Sequence, residues 1–99
     1  MKYEVVIAES AEAVFRGFDA RWRSTLKGAM RQFLEHEPKK ESKSRIKRLR
    51  GLRQPQYRLR VGEMRIFYDV NDVLRRVEVI SFVMKPETDA WLEQYGVLE

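Results

Sequence analysis

The chain has no cysteine, three prolines, five glycines and a single histidine. Without cysteine there is no disulfide, no thiolate metal site and no cysteine nucleophile. The single histidine, His36, has no cluster of further ligands near it in sequence, so no metal centre is expected. It falls near the end of a helical stretch, where a cation is favoured, and reads as a helix cap. No apolar run approaches the ~20 residues a membrane span requires. The opening stretch MKYEVVIAES has an apolar run too short for an export signal and followed at once by acids. The expectation is a cytoplasmic protein with no membrane association. Hydrophobic content of 43% and aromatic content of 11% over 99 residues fit one folded domain, residues 1–99.

Acids are scarce in one stretch. Between Lys39 and Arg60 stand ten of the 20 basic residues: Lys39, Lys40, Lys43, Arg45, Lys47, Arg48, Arg50, Arg53, Arg58 and Arg60. Only Glu41 opposes them, which leaves the rest of the chain net acidic. Positive charge concentrated this way suits a polyanionic partner, and the segment is a candidate RNA-binding surface.

The spacing of apolar residues predicts the order β-α-α-β-β-β-α, an α+β fold. A small, antiparallel-rich sheet carries an N-terminal helical hairpin packed on it. KYEVVIA, residues 2 to 8, reads as a strand. Ser10 offers an N-cap to a first helix that ends near residue 18, and a second helix starts near Ala20. Trp22, Leu26, Ala29, Met30 and Phe33 form its apolar stripe, with Arg21, Arg23, Lys27 and Arg31 facing out. Pro38 stops this helix and a basic loop follows.

Gly62-Glu63 fits a two-residue turn of type II′, which fixes the register of QYRLRVGEMRIFYDV as a hairpin. Tyr57, Leu59, Val61, Met64, Ile66 and Tyr68 then share one apolar face, and Arg58, Arg60, Arg65 and Phe67 share the other. A turn at Asn71-Asp72 leads to a strand from about Arg76 to Met84, apolar on both faces and therefore central. A last helix starts at Glu87 or Thr88, carries Ala90, Trp91, Leu92 and Tyr95, and closes at Gly96.

Arg60 opposite Arg65, with Arg58 beside them, is a local cost to the sheet. Either acids such as Asp69 or Glu78 neutralise it, or the arginines serve a ligand. A guanidinium binds two phosphate oxygens at once and stays charged at any working pH. RNA carries its own nucleophile, the 2′-hydroxyl, so arginines that stabilise the transition state supply a large part of what cleavage needs, and a metal is not obligatory. Arginine hardly gives up a proton, which leaves Lys85, at the end of the last strand, as the proton-moving candidate. Phe67, on the arginine face, is a candidate base-stacking ring.

YRLRVGEMRIFYDV, VEVISFVMK and DAW, with the approach KRLRGLRQPQYRLR, resemble the RelE/ParE superfamily of type II toxin–antitoxin toxins over essentially the whole chain. The resemblance to RelE-like members implies a ribosome-dependent mRNA endoribonuclease with no cofactor. Its implied partners are a cognate antitoxin that wraps the toxin, the ribosome and mRNA. The family's working positions carry over to Arg58, Arg60, Arg65, Lys85 and Trp91. Lysines stand at Arg58 and Arg60 in well-studied members, arginine at Lys85 and tyrosine at Trp91. Trp91 keeps a ring for stacking on RNA, and Tyr95, one turn on, carries a hydroxyl. Resemblance to ParE-like members implies instead a non-enzymatic poison of DNA gyrase. A toxin-fold partner of an antitoxin that has lost activity is the third reading.

Overall fold

In the computed structural model, which describes residues 2–99, ten regular elements follow the predicted order with three short strands added. They are β1 (Glu4–Ile7), α1 (Glu9–Arg16), α2 (Ala20–Leu34), β2 (Ile46–Arg48), β3 (Leu52–Gln54), β4 (Tyr57–Val61), β5 (Met64–Asn71), β6 (Arg76–Met84), α3 (Thr88–Tyr95) and β7 (Val97–Leu98). A short 3-10 turn, Lys85–Glu87, joins β6 to α3. The main sheet has the order β1-β6-β5-β4-β2, with β1 parallel to β6 and every other pair antiparallel. Strands β3 and β7 pair as a separate ribbon.

The predicted hairpin register is observed at all five pairs, from Tyr57 opposite Tyr68 to Val61 opposite Met64. Gly62 has φ +58°, the left-handed value that the first position of the turn demands. Strand β6 is interior, as expected, but the apolar character of both its faces has a second cause. A bulge sets Phe67 opposite Ser81 and Tyr68 opposite Val79, so Ile80 is the extra residue. The inward phase therefore shifts from Val77 and Val79 to Phe82.

Helices α1 and α2 cover one face of the sheet. Ala11, Phe15, Leu26, Met30 and Leu34 pack with Leu59, Ile66, Tyr68 and Val79 in one buried cluster. Tyr68 is fully buried and donates its hydroxyl to the Pro38 carbonyl at 2.6 Å, anchoring the start of the basic segment. Helix α3 lies on the opposite face, where Trp91 stacks on Phe67 with ring centroids 4.9 Å apart.

Several local expectations are corrected. Ser10 is not the cap of α1. The Ala8 N–H still pairs with Val79 at 2.9 Å and the helix starts at once, so Ala8 holds the cap position. Asp19, in the break between the two helices, caps α2 by accepting from the Trp22 N–H at 2.8 Å. Helix α2 ends at Leu34, and His36 beyond it makes no hydrogen bond or ion pair among the described residues, so it caps nothing. The turn after β5 spans four residues, because Asn71 pairs with Arg76 and its side chain accepts from the Leu74 N–H. Gly96 ends α3 by close approach rather than by a left-handed conformation, since a Cβ there would lie 2.5 Å from the Leu92 oxygen.

Candidate RNA-binding face

The register of the main sheet brings the candidate residues together on the α3 side. One row across four strands runs Lys47, Arg58, Phe67, Ser81. The next runs Arg60, Arg65, Val83, and the main-chain N–H of Arg60 donates to Arg45 at 2.9 Å. Lys85 follows at the corner, its N–H donating to the Glu63 carbonyl at 2.8 Å beside the hairpin turn.

Among the described residues no acid pairs with Arg58, Arg60 or Arg65. Asp69 is spent on the Gln54 amide and the Gln56 N–H, both at 2.8 Å, and Glu78 faces Asp69 in register. The arginine repulsion foreseen from the sequence is therefore left standing. Burial first, and then Arg65 and Arg60, hold the Arg58 guanidinium below its ordinary pKa. Burial and Arg60 do the same to Arg65, against an opposing pull from Glu63. The Arg58 Nε is buried with no acceptor, a cost of roughly 1–3 kcal/mol for an unsatisfied donor. Arg65 is only 6% exposed, and its Nη1 donates to the carbonyls of Gly62 and Met64 at 2.8 and 3.2 Å. The hairpin turn thus fixes the guanidinium before any ligand arrives. Crowded cations with an unfilled donor and, among the described residues, no ion-pair partner form a preorganised anion site.

Two expectations for this face change. Phe67 is not a free stacking ring: it is 1% exposed, lying under Trp91 with the ring planes 3° apart. Trp91 in turn spends one face on Phe67 and meets Tyr95 at 5.4 Å. The open end of this three-ring column is Tyr95, 56% exposed. Tyr95 thus packs on Trp91 rather than on the sheet itself.

The basic segment divides in the same way. Arg48 is structural: its Nη1 donates to the carbonyls of Leu49, Leu52 and Gln56, it lies over Tyr57, and it pairs with Glu99. Its partner in register is Tyr57, so it belongs to the face opposite Arg58 and is withdrawn from the RNA-binding set. Lys39 pairs with Asp72 at 2.6 Å, and Lys40 with Glu37 at 3.6 Å. Arg45 leans over the Phe33 ring at 5.2 Å. Lys43, Lys47, Arg50 and Arg53 are exposed and make no side-chain hydrogen bond or ion pair among the described residues. The sequence did not show that residues 46–48 form an edge strand, which places Lys47 directly beside Arg58. No group of His, Asp or Glu able to hold a metal occurs among the described residues, and no helix is long and apolar enough to cross a membrane.

No protein-family model and no curated protein matches the chain. Solved structures do. A free Escherichia coli toxin RelE carrying two arginine-to-alanine substitutions matches at TM-score 0.71 and 26% identity, covering 94% of each chain. The RelE–RelB complex of Pyrococcus horikoshii matches at TM-score 0.69 and 23% identity, covering 86% of this chain and 97% of that one. The RelB–RelE antitoxin–toxin complex of Methanococcus jannaschii matches at 0.63 and 18%, covering 87% and 96%. All three share the fold.

Proposed function

We propose that this chain, which shares the fold of RelE toxins, is a toxin of the type II toxin–antitoxin class that inhibits translation by cutting mRNA on the ribosome. The observation that carries the reading is the uncompensated cluster of Arg58, Arg60 and Arg65 on a face rimmed by free cations. In this reading the three arginines grip the scissile phosphate and stabilise the charge that builds on its oxygens. Lys85 takes the proton of the attacking 2′-hydroxyl. Lys43, Arg50 and Arg53 hold ribosomal RNA. A cognate antitoxin covers the same cationic face until it is removed; two of the similar toxins were crystallised with RelB.

Mapping mRNA 5′ ends after induction tests this. Cuts phased to codons in translated messages are expected; growth arrest with no such cuts would remove the nuclease. Trp91 favours the gyrase alternative, because its ring is engaged with Phe67 and carries no hydroxyl. Supercoiling by purified gyrase is expected to continue unimpeded at stoichiometric protein, and inhibition there would favour the ParE-like reading.

A further inference from the structure

The arginine face has binding groups in excess and few groups that give up a proton. A guanidinium holds its protons too tightly to act as an acid, whereas a lysine ammonium can release one. The structure supplies a lysine that the linear sequence did not connect to the face. Lys47 sits on edge strand β2 directly opposite Arg58, while its neighbour Ile46 is opposite Leu59 and buried in the core. Directly paired residues point to the same face of a sheet, so Lys47 projects on the arginine side. It is exposed, has no strand beyond it, and makes no side-chain hydrogen bond or ion pair among the described residues. The charged groups around it are Arg58 and Arg60 on β4, Arg65 on β5, Arg45 on its own segment, and Glu41, whose carboxylate accepts from the neighbouring Arg48 N–H at 2.9 Å.

Lys47 and Lys85 occupy diagonally opposite corners of the patch, with Arg58, Arg60 and Arg65 between them. They are three strand spacings apart across the sheet, about 14 Å, and offset along the strands by about four residues, a further ~13 Å. An in-line displacement at phosphorus needs an acid and a base on opposite sides of the phosphate, and two long lysine side chains reaching inward from these corners meet that need.

We propose that Lys47 is a catalytic residue, the general acid that protonates the leaving 5′-oxygen. The inference rests on the mRNA-cleavage reading above. The 2′-oxygen bonds to phosphorus as its proton passes to the amine of Lys85. The bond from phosphorus to the 5′-oxygen breaks, and that oxygen takes a proton from the Lys47 ammonium. The products are a 2′,3′-cyclic phosphate and a 5′-hydroxyl; the Lys85 ammonium then gives its proton to water and the neutral Lys47 amine takes one from water, which restores both.

The test uses ribosomes programmed with a defined mRNA, and the same mRNA with sulfur replacing the bridging 5′-oxygen at the cut. A thiolate leaves without needing a proton. Lys47→Met and Lys47→Arg are both expected to slow cleavage of the ordinary message by about 100-fold or more, and both regain the parent rate on the sulfur message. Lys47→Arg cutting the ordinary message at the parent rate would overturn the inference, because charge alone would then suffice. So would a loss that persists on the sulfur message. In either case the parent still cuts and the nuclease reading stands. If the parent cuts neither message, both the reading and this inference fall.

Discussion

Arg58 is flanked in register by Lys47 and Phe67, and its Nε is buried without an acceptor. Nothing in the folded chain alone rewards a guanidinium there. Arg58→Met removes an unsatisfied donor and a like charge while keeping the unbranched stem over the sheet. It is expected to raise stability in urea unfolding by about 1 kcal/mol, while cleavage falls by roughly 100-fold. A variant that loses stability and keeps activity would reverse this account of the site. Asp72 is the opposite kind of residue. It accepts from Tyr3 at 2.6 Å and pairs with Lys39, which together hold its carboxyl below the usual aspartate range, the Lys39 bond first. A depressed carboxylate stabilises above its unfolded pKa and loses that contribution as pH falls through the folded one. The stability gap between the parent and Asp72→Asn should be full at neutral pH and close below pH ~3.9. A gap that is constant across pH 2 to 7, by urea unfolding at each ~pH unit, would deny the ion pair any role.

Among the elements, the β4–β5 hairpin was the most legible in sequence, because one glycine sets both turn type and register. Gly62→Ala forces a side chain at φ +58° and should cost about 1 kcal/mol in thermal or urea unfolding. Helix α3 was legible as a helix but not in its contacts. Its seat on Phe67 joins residues 24 positions apart in the chain, and no local spacing announces such a pair. That is why Phe67 and Trp91 read as free rings. Trp91→Ala should uncover Phe67 and cost about 2 kcal/mol, less than a fully buried aromatic, with Trp91→Phe retaining most of the stability. Strands β2, β3 and β7 were hidden for another reason. Each has two or three residues, too few for a period of two to show, and β2 is mostly basic. Missing β2 concealed the place of Lys47 beside Arg58, and missing its alternation concealed that Arg48 turns to the opposite face.

Over the whole molecule, charge is segregated by topology as well as by sequence. The arginine rows lie toward the hairpin turn, while Asp69 and Glu78 stand together farther along the same face. Free RNA should bind with an affinity that falls linearly against salt on logarithmic axes, each phosphate-contacting cation adding about 0.7 to the slope for single strands. Lys43→Ala, Arg50→Ala and Arg53→Ala should each flatten the slope, whereas Arg48→Ala should lower stability through the carbonyls it gathers. The most direct measurement is made on purified ribosomes carrying a defined mRNA with an open decoding site, with the RNA products sized and their ends identified. The account predicts one cut in the exposed codon, leaving a 2′,3′-cyclic phosphate and a 5′-hydroxyl, abolished by Arg65→Ala. Intact mRNA on ribosomes whose peptide synthesis the protein still stops would contradict it.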